Sequence, residues 1–295
     1  MSAPQAPSRY TPLRHDAEAA ASRFPALLAE AERMAATVAH GAHGRRRPGT
    51  GETFWEYRPH RHEDGAGAVD WRRSARGDQL FVRETEWEAA NAVHLWRDGA
   101  VGMATGSHGL PTKRDRAAVC LMAVSSLLAR GGERIAALGE TGRARSGNTG
   151  LELTGRALAD GPGSPSSVEA PNLARHARVV LASDFLDPVE TWGRRLSAFN
   201  GLQARGILLR IIDPAEEDFP FEGRTRFTLP GSGEPLLFGK AEDARKAYRT
   251  LWSDHAAQLK DTARRMGWTL ITHRTDRPAS AAVMALYQAL AGERA

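Results

Sequence analysis

The sequence predicts an α/β fold: a mostly parallel sheet covered by helices on both faces, preceded by an N-terminal helix and a small β-rich segment. Three observations point there. The runs "AVHLW" (92–96), "RVVLAS" (178–183) and "GILLRII" (206–212) are short and almost wholly apolar, as strands buried on both faces are. Between them, 112–130, 148–159 and 188–204 repeat apolar residues at helical spacing. Strand and helix alternate along the chain, which is the pattern of βαβ crossovers.

Taken in order, residues 1–15 are rich in Pro and Ser and read as a loose tail. Phe24, Leu27, Leu28, Ala31, Met34, Ala35 and Val38 form one apolar stripe of a helix, with Ser22 as N-cap and Gly41 and Gly44 at its end. Residues 53–88 mix aromatics with turn dipeptides and read as short strands, of which "QLFVRETE" (79–86) alternates as a half-exposed strand does. From 92 the regular alternation begins: strand 92–96, a Gly-rich loop, helix 112–130, strand 134–138 and a helix 148–159 capped by Asn148. Strand 178–183, helix Pro188–Ala204 and strand 206–212 follow. A β-rich excursion (219–240), a long helix through Met266, the strand "WTLITH" and a terminal helix at 278–291 complete the chain. The boundaries that result are 1–44 for tail and helix, 45–90 for the β-rich segment and 91–295 for the α/β domain.

The bulk numbers exclude more than they select. Lys and Arg number 40 against 35 Asp and Glu, a net charge of +5 that permits but does not demand a nucleic-acid or anionic-lipid partner. The single cysteine, Cys120, excludes an intrachain disulfide and a cysteine metal cluster, and in "AAVCLMAV" it reads as a core residue. No apolar run is long enough for a membrane helix, and the first residues lack a signal-peptide core, so a cytoplasmic location is the default expectation.

Parallel sheets bind ligands at the carboxyl ends of their strands. Two acids fall there: Asp98 after "AVHLWR" and Asp184 after "RVVLAS". Thr149, in "SGNTG", sits in another strand-to-helix connection. Two carboxylates and a hydroxyl could hold Mg2+, a hard cation that takes oxygen ligands and keeps several waters. The competing reading is that each acid caps the turn that follows it. The "HRHED" cluster of His60, His62, Glu63 and Asp64 is a second metal candidate, outweighed by a solvated polar turn. Phosphate-loop, dinucleotide, nucleophile-elbow and H-E-x-x-H motifs are all missing.

The stretch "VDWRRSARGDQLFVR" (69–83) invites a nucleic-acid reading, but Asp70, Asp78, Glu84 and Glu86 nearly balance its arginines. Alternating signs with Trp and Phe fit ion pairs that fix a loop to a domain, for which arginine's planar fork is suited. On that reading, replacing Trp71 or Arg76 by Ala lowers the melting temperature.

Residues 51–88 resemble the signature of the bacterial domain of unknown function 58 family. The matching positions are Gly51 with Phe54; Tyr57 and Arg58; Asp64; Val69, Asp70 and Trp71; Ser74, Ala75 and Arg76; and Leu80, Val82, Arg83 and Glu86. Glu63 and Ala68 depart from it. The resemblance implies a von Willebrand factor A-like, three-layer α/β/α domain after the signature. It also implies a metal-ion-dependent adhesion site built from D-x-S-x-S, a threonine and a later aspartate. Asp98, Thr149 and Asp184 take those places, but Ala100 and Gly102 replace the two serines, so the implied set is degenerate and no cofactor is required, Mg2+ being the ion it would take. Relatives of this kind are paired with a MoxR-type AAA+ ATPase in chaperone-like work on a client protein.

The expectation is therefore a non-enzymatic interaction protein, an adaptor for such an ATPase. Its alternatives are a weak metal-dependent hydrolase using Asp98 and Asp184, and a nucleic-acid-binding protein. Basic runs near the N-terminus leave room for peripheral membrane contact.

Overall fold

The computed structural model describes residues 10–15, 48–60, 69–75, 77, 79–86, 92–139, 143–161, 168, 173, 177–228 and 235–292. The predicted helix at 22–38, the "HRHED" residues after His60 and the signature residues Asp64 and Arg76 lie outside them. Of Arg58, Arg83 and Glu86 only the backbone is described.

The signature segment folds as an antiparallel pair, β1 (Pro48–Pro59) and β2 (Phe81–Glu86), joined through a one-turn helix α1 (Trp71–Ser74). Asp70 is the N-cap of α1, accepting from Arg73 N at 2.9 Å, and it also accepts from the Tyr57 hydroxyl at 3.2 Å. Ser74 is buried and bridges the turn to the strand, donating to Asp70 O and accepting from Phe81 N. Arg73 stacks over the Tyr57 and Phe81 rings. The stretch is therefore pinned by a cap, a serine bridge and ring stacking. Trp71 corrects the sequence reading: it is 62% exposed, so its removal cannot open a packed site.

The main body is a five-stranded, all-parallel sheet in the order β4-β3-β5-β6-β9: β3 (Ala92–Arg97), β4 (Arg134–Ala137), β5 (Arg178–Ser183), β6 (Arg205–Ile212) and β9 (Thr269–Arg274). Helices α2 (Lys113–Arg130), α3 (Gly147–Asp160) and α7 (Ala279–Gly292) cover one face. Helices α4 (Val189–Gly201) and α6 (Ala241–Arg265) cover the other. The period of two in each strand divides the core accordingly: Val180, Ala182, Ile207, Leu209 and Ile211 face the first layer, and Val179, Leu181 and Leu208 face the second. This is a three-layer α/β/α arrangement. Cys120 is fully buried in the first layer, and burial pushes its thiol up to about 12.

Residues 10–15 form a short helical segment whose Tyr10 and Leu13 are buried in that same layer. Gly155 of α3 makes room for it, since a Cβ there would stand 2.7 Å from Tyr10 Cε2.

Two local differences from expectation have clear causes. The helix expected to reach Ala204 stops at Gly201, because Gln203 takes a left-handed φ of 55° and Ala204 turns into β6. A helix α5 (Pro214–Asp218) precedes the β-rich excursion. That excursion is an antiparallel hairpin, β7 (Thr225–Thr228) and β8 (Pro235–Phe238).

Candidate functional site

Strand β3 lies between β4 and β5, so the crossover from β3 leaves to one side and the chain returns on the other. The carboxyl ends of β3 and β5 therefore flank the topological switch point, where open parallel sheets bind ligands. Asp98 ends β3 and Asp184 ends β5, and both side chains are buried.

Asp98 is held by two donors. Ala100 N reaches its Oδ1 at 2.8 Å and Ser183 Oγ reaches its Oδ2 at 2.6 Å. Burial raises its pKa; the Ser183 and Ala100 hydrogen bonds oppose that, and the nearby Asp184 and Asp187 reinforce it. Asp184 Oδ1 accepts from Leu186 N at 3.2 Å. Between these two residues of the turn, Phe185 adopts φ 54°. A bulky side chain pays for that conformation only where packing fixes it, and here the fully buried ring sits 4.6 Å from Trp192.

The other oxygen of Asp184 meets a lysine. Lys113 Nζ lies 2.8 Å from Asp184 Oδ2 and also pairs with Glu216 Oε1 on α5. Lys113 is 1% exposed. Burial disfavours its ammonium, but the two carboxylates more than offset this, and its pKa stands above the ordinary lysine value. A third acid completes the edge. Asp213, after β6, caps α5 in a capping box with Glu216 and accepts from Ser107 N at 2.7 Å, so it ties the loop after β3 to the end of β6. Arg210 of β6 is buried against the Trp252 ring at 4.6 Å, within the field of Asp184 and Glu216.

Asp98 and Asp184 are thus neighbours, as the strand ends require, and each makes the turn-capping contact of the alternative reading. Thr149 does not join them. It is exposed in the first turn of α3, whose N-terminal end follows the bridge of Arg145 to Ile135 near the start of β4. The far end of that helix is the one that reaches the edge, where Arg97 Nε donates to Leu158 O at 2.5 Å. Nine residues of helix, about 14 Å at 1.5 Å per residue, separate Thr149 from Leu158. The N-cap of α3 is Ser146 rather than Asn148.

These residues do not fit a resident Mg2+. An ideal Cβ at Gly102 would stand 3.6 Å from Asp184 Oδ2, so a serine there would turn its hydroxyl toward that carboxylate, but glycine offers none. Ala100 contributes only its backbone N–H, to Asp98. The Asp184 oxygen facing the crevice is already neutralised by Lys113. No group of three or more metal-ligating side chains converges among the described residues.

The family model described as "Protein of unknown function DUF58" matches residues 56–258. The chain belongs to the DUF58 family. The uncharacterized proteins Rv1480 of Mycobacterium tuberculosis and Mb1516 of Mycobacterium bovis are each 27% identical to this DUF58 chain over 257 residues, covering 81% of it and 80% of the relative. Among solved structures, an aerotolerance-related membrane protein from Bacteroides fragilis aligns at 15% identity with a TM-score of 0.40, over 68% of this chain and 98% of its own. BatB from Bacteroides thetaiotaomicron aligns at 12% with a TM-score of 0.36, over the same shares. No helix among the described residues of the DUF58 chain is long and apolar enough to cross a membrane.

The position of Asp98 makes a prediction. A carboxyl group whose folded pKa is raised costs stability as pH climbs from the unfolded value of about 3.9 through the folded one. Asp98→Asn removes that cost and can still accept from Ala100 N. Its melting temperature at pH 7 should equal or exceed that of the wild type, with a flatter profile as pH rises above the unfolded value. A thermal scan showing the variant several degrees less stable at pH 7 would contradict this.

Proposed function

We propose that this DUF58 chain is a protein-interaction module without chemistry of its own, which presents the carboxyl edge of its sheet to a MoxR-type AAA+ ATPase acting on a client protein. The observation that carries the reading is the buried Lys113 ammonium on Asp184 and Glu216, in the crevice where this architecture receives ligands. The edge brings its own cation and keeps it, so it is preformed and needs no metal to be electrostatically complete. Around it stand apolar side chains in solvent: Val101 is 59% exposed beyond Asp98, and Leu186 is 44% exposed beyond Asp184. Exposed apolar groups rimming a charge-paired centre suit a protein partner. The identity of the partner rests on the family resemblance.

The test is a binding titration against the MoxR-type ATPase of the same organism, in nucleotide-free buffer with and without EDTA. Affinity should be unchanged by EDTA, and Val101→Glu with Leu186→Glu should weaken it about ten-fold or more at an unaltered melting temperature. Failure of the wild type to bind, or equal binding by the double variant, would remove the proposal.

A further inference from the structure

Beyond the carboxyl-edge site, the β7–β8 hairpin carries an arrangement the interaction reading does not use. Leu236 and Leu237 are consecutive in β8, so they point to opposite faces of the ribbon. Both are nonetheless mostly in solvent, at 54% and 56%. The register fixes which face each takes. Leu236 pairs with Phe227, on the side of the aromatic cluster formed with Phe219, Phe221 and Phe238. Leu237 pairs with Arg226, on the outer side. The cluster anchors the base of the ribbon, and Arg245 fixes that base further by donating to Phe219 O and Phe221 O. Leu236 stands level with Phe227, and Leu237 level with Arg226, both with more than half of their surface in solvent.

Cations surround the leucine pair. Between 219 and 250 there are six Lys and Arg against four Asp and Glu. Arg224, Arg226, Lys240 and Lys246 are exposed and make no salt bridge to a described carboxylate, whereas Glu222 is engaged by Arg245 and Glu242 accepts from Gly223 N.

We infer that this hairpin is a membrane-surface contact whose ligand is an anionic lipid interface. A protein partner laid against a two-stranded ribbon covers one face and leaves the other leucine in water. A fluid acyl and headgroup layer can reach both exposed leucines at once. Arg226, directly across from Leu237, and the neighbouring Arg224, Lys240 and Lys246 would then meet the headgroups, where each Lys or Arg near an anionic surface strengthens binding about five-fold. Apolar insertion and basic attraction act together, as they do for interfacial segments generally.

The experiment is sedimentation with phosphatidylglycerol–phosphatidylcholine vesicles and with phosphatidylcholine vesicles alone. The wild type should pellet with the first and only weakly with the second. Leu236→Ser with Leu237→Ser should lose most of the binding, and Arg224→Glu with Arg226→Glu should lose it too, both with unchanged melting temperatures. Site-specific depth is read from Leu237→Cys labelled with an environment-sensitive dye, which is selective because Cys120 is buried and its thiol is pushed up to about 12. The dye should shift to the blue on anionic vesicles. Three results would each overturn the inference: no pelleting of the wild type, equal pelleting of the leucine variant through general basic charge, or a silent dye on vesicles that bind the protein.

Discussion

Lys113→Met should be among the most damaging single substitutions at the candidate site. The side chain lies at the first position of α2, directly after the N-cap Thr112. A cation there opposes the helix dipole, and burial opposes it again. Asp184 and Glu216 alone make the position tenable, and the reverse also holds, because removing the ammonium leaves two carboxylates facing each other in a largely closed crevice. Breaking a buried pair by deleting one partner costs about 3–5 kcal/mol. In a chain of this size that is a fall in melting temperature of roughly 6–20 °C. The pH dependence follows from the raised lysine pKa. Its contribution is complete below the ordinary lysine value and is lost only as pH rises through the higher folded one, so wild-type stability from this group is flat around neutrality. The triple variant Lys113→Met, Asp184→Asn, Glu216→Gln removes the ion pairs but leaves the buried Arg210 without two of the carboxylates that favour its charge, so it should regain only part of the stability. A single variant that melts within a degree or two of the wild type would show that the network does not hold the edge.

This network also marks the limit of what could be read in the sequence. The sheet was legible because buried parallel strands are nearly uniform apolar runs, and 178–183 and 206–212 are such runs. Asp98 and Asp184 were legible because the fold places whatever follows β3 and β5 at one edge. Lys113 was not, because its meaning depends on a carboxylate 71 residues away. The local clue was only that a lysine stands at a helix N-terminus, where acids are favoured. Glu216 and Asp213 did leave a signal that was passed over: "DPAE" is a capping box with proline in the first turn, which announces a short helix. Thr149 misled for the opposite reason. The spacing places it in a strand-to-helix connection, but it stands in the first turn of α3, after the chain has turned back along β4, and a pairing such as Arg145 with Ile135 has no signature in composition or period. Trp71 misled through its residue type, since a tryptophan among arginines reads as packed until its exposure is known.

Gly206→Ala should match the lysine substitution in cost, for a purely steric reason. Gly206 begins the apolar run of β6 opposite Val179 of β5, near the amino end of the sheet and away from the candidate site. A Cβ there would stand 2.3 Å from Trp268 Cζ3 and 2.5 Å from Val179 O. The carbonyl belongs to a central strand paired on both sides, so it cannot retreat without disturbing two ladders. The indole is equally constrained, by its hydrogen bond to Asn200 Oδ1 at 3.2 Å and by its edge contact with Phe199 at 5.5 Å. Overpacking typically costs about 1–3 kcal/mol, and a methyl group forced against backbone belongs at or above the top of that range. Trp268→Leu relieves one of the two clashes, so Gly206→Ala combined with it should be less damaging than the sum of the single changes. Strict additivity in a thermal or denaturant melt would mean the indole is not what the methyl group meets. The same variant separates folding from function. At a temperature where Gly206→Ala remains folded, its partner affinity should equal that of the wild type, because nothing at the carboxyl edge has changed. Val101→Glu with Leu186→Glu should do the reverse, losing affinity at unchanged stability. If both variants lost affinity in proportion to their folded fraction, binding would report only on the integrity of the sheet, and the carboxyl edge would not be the partner's surface.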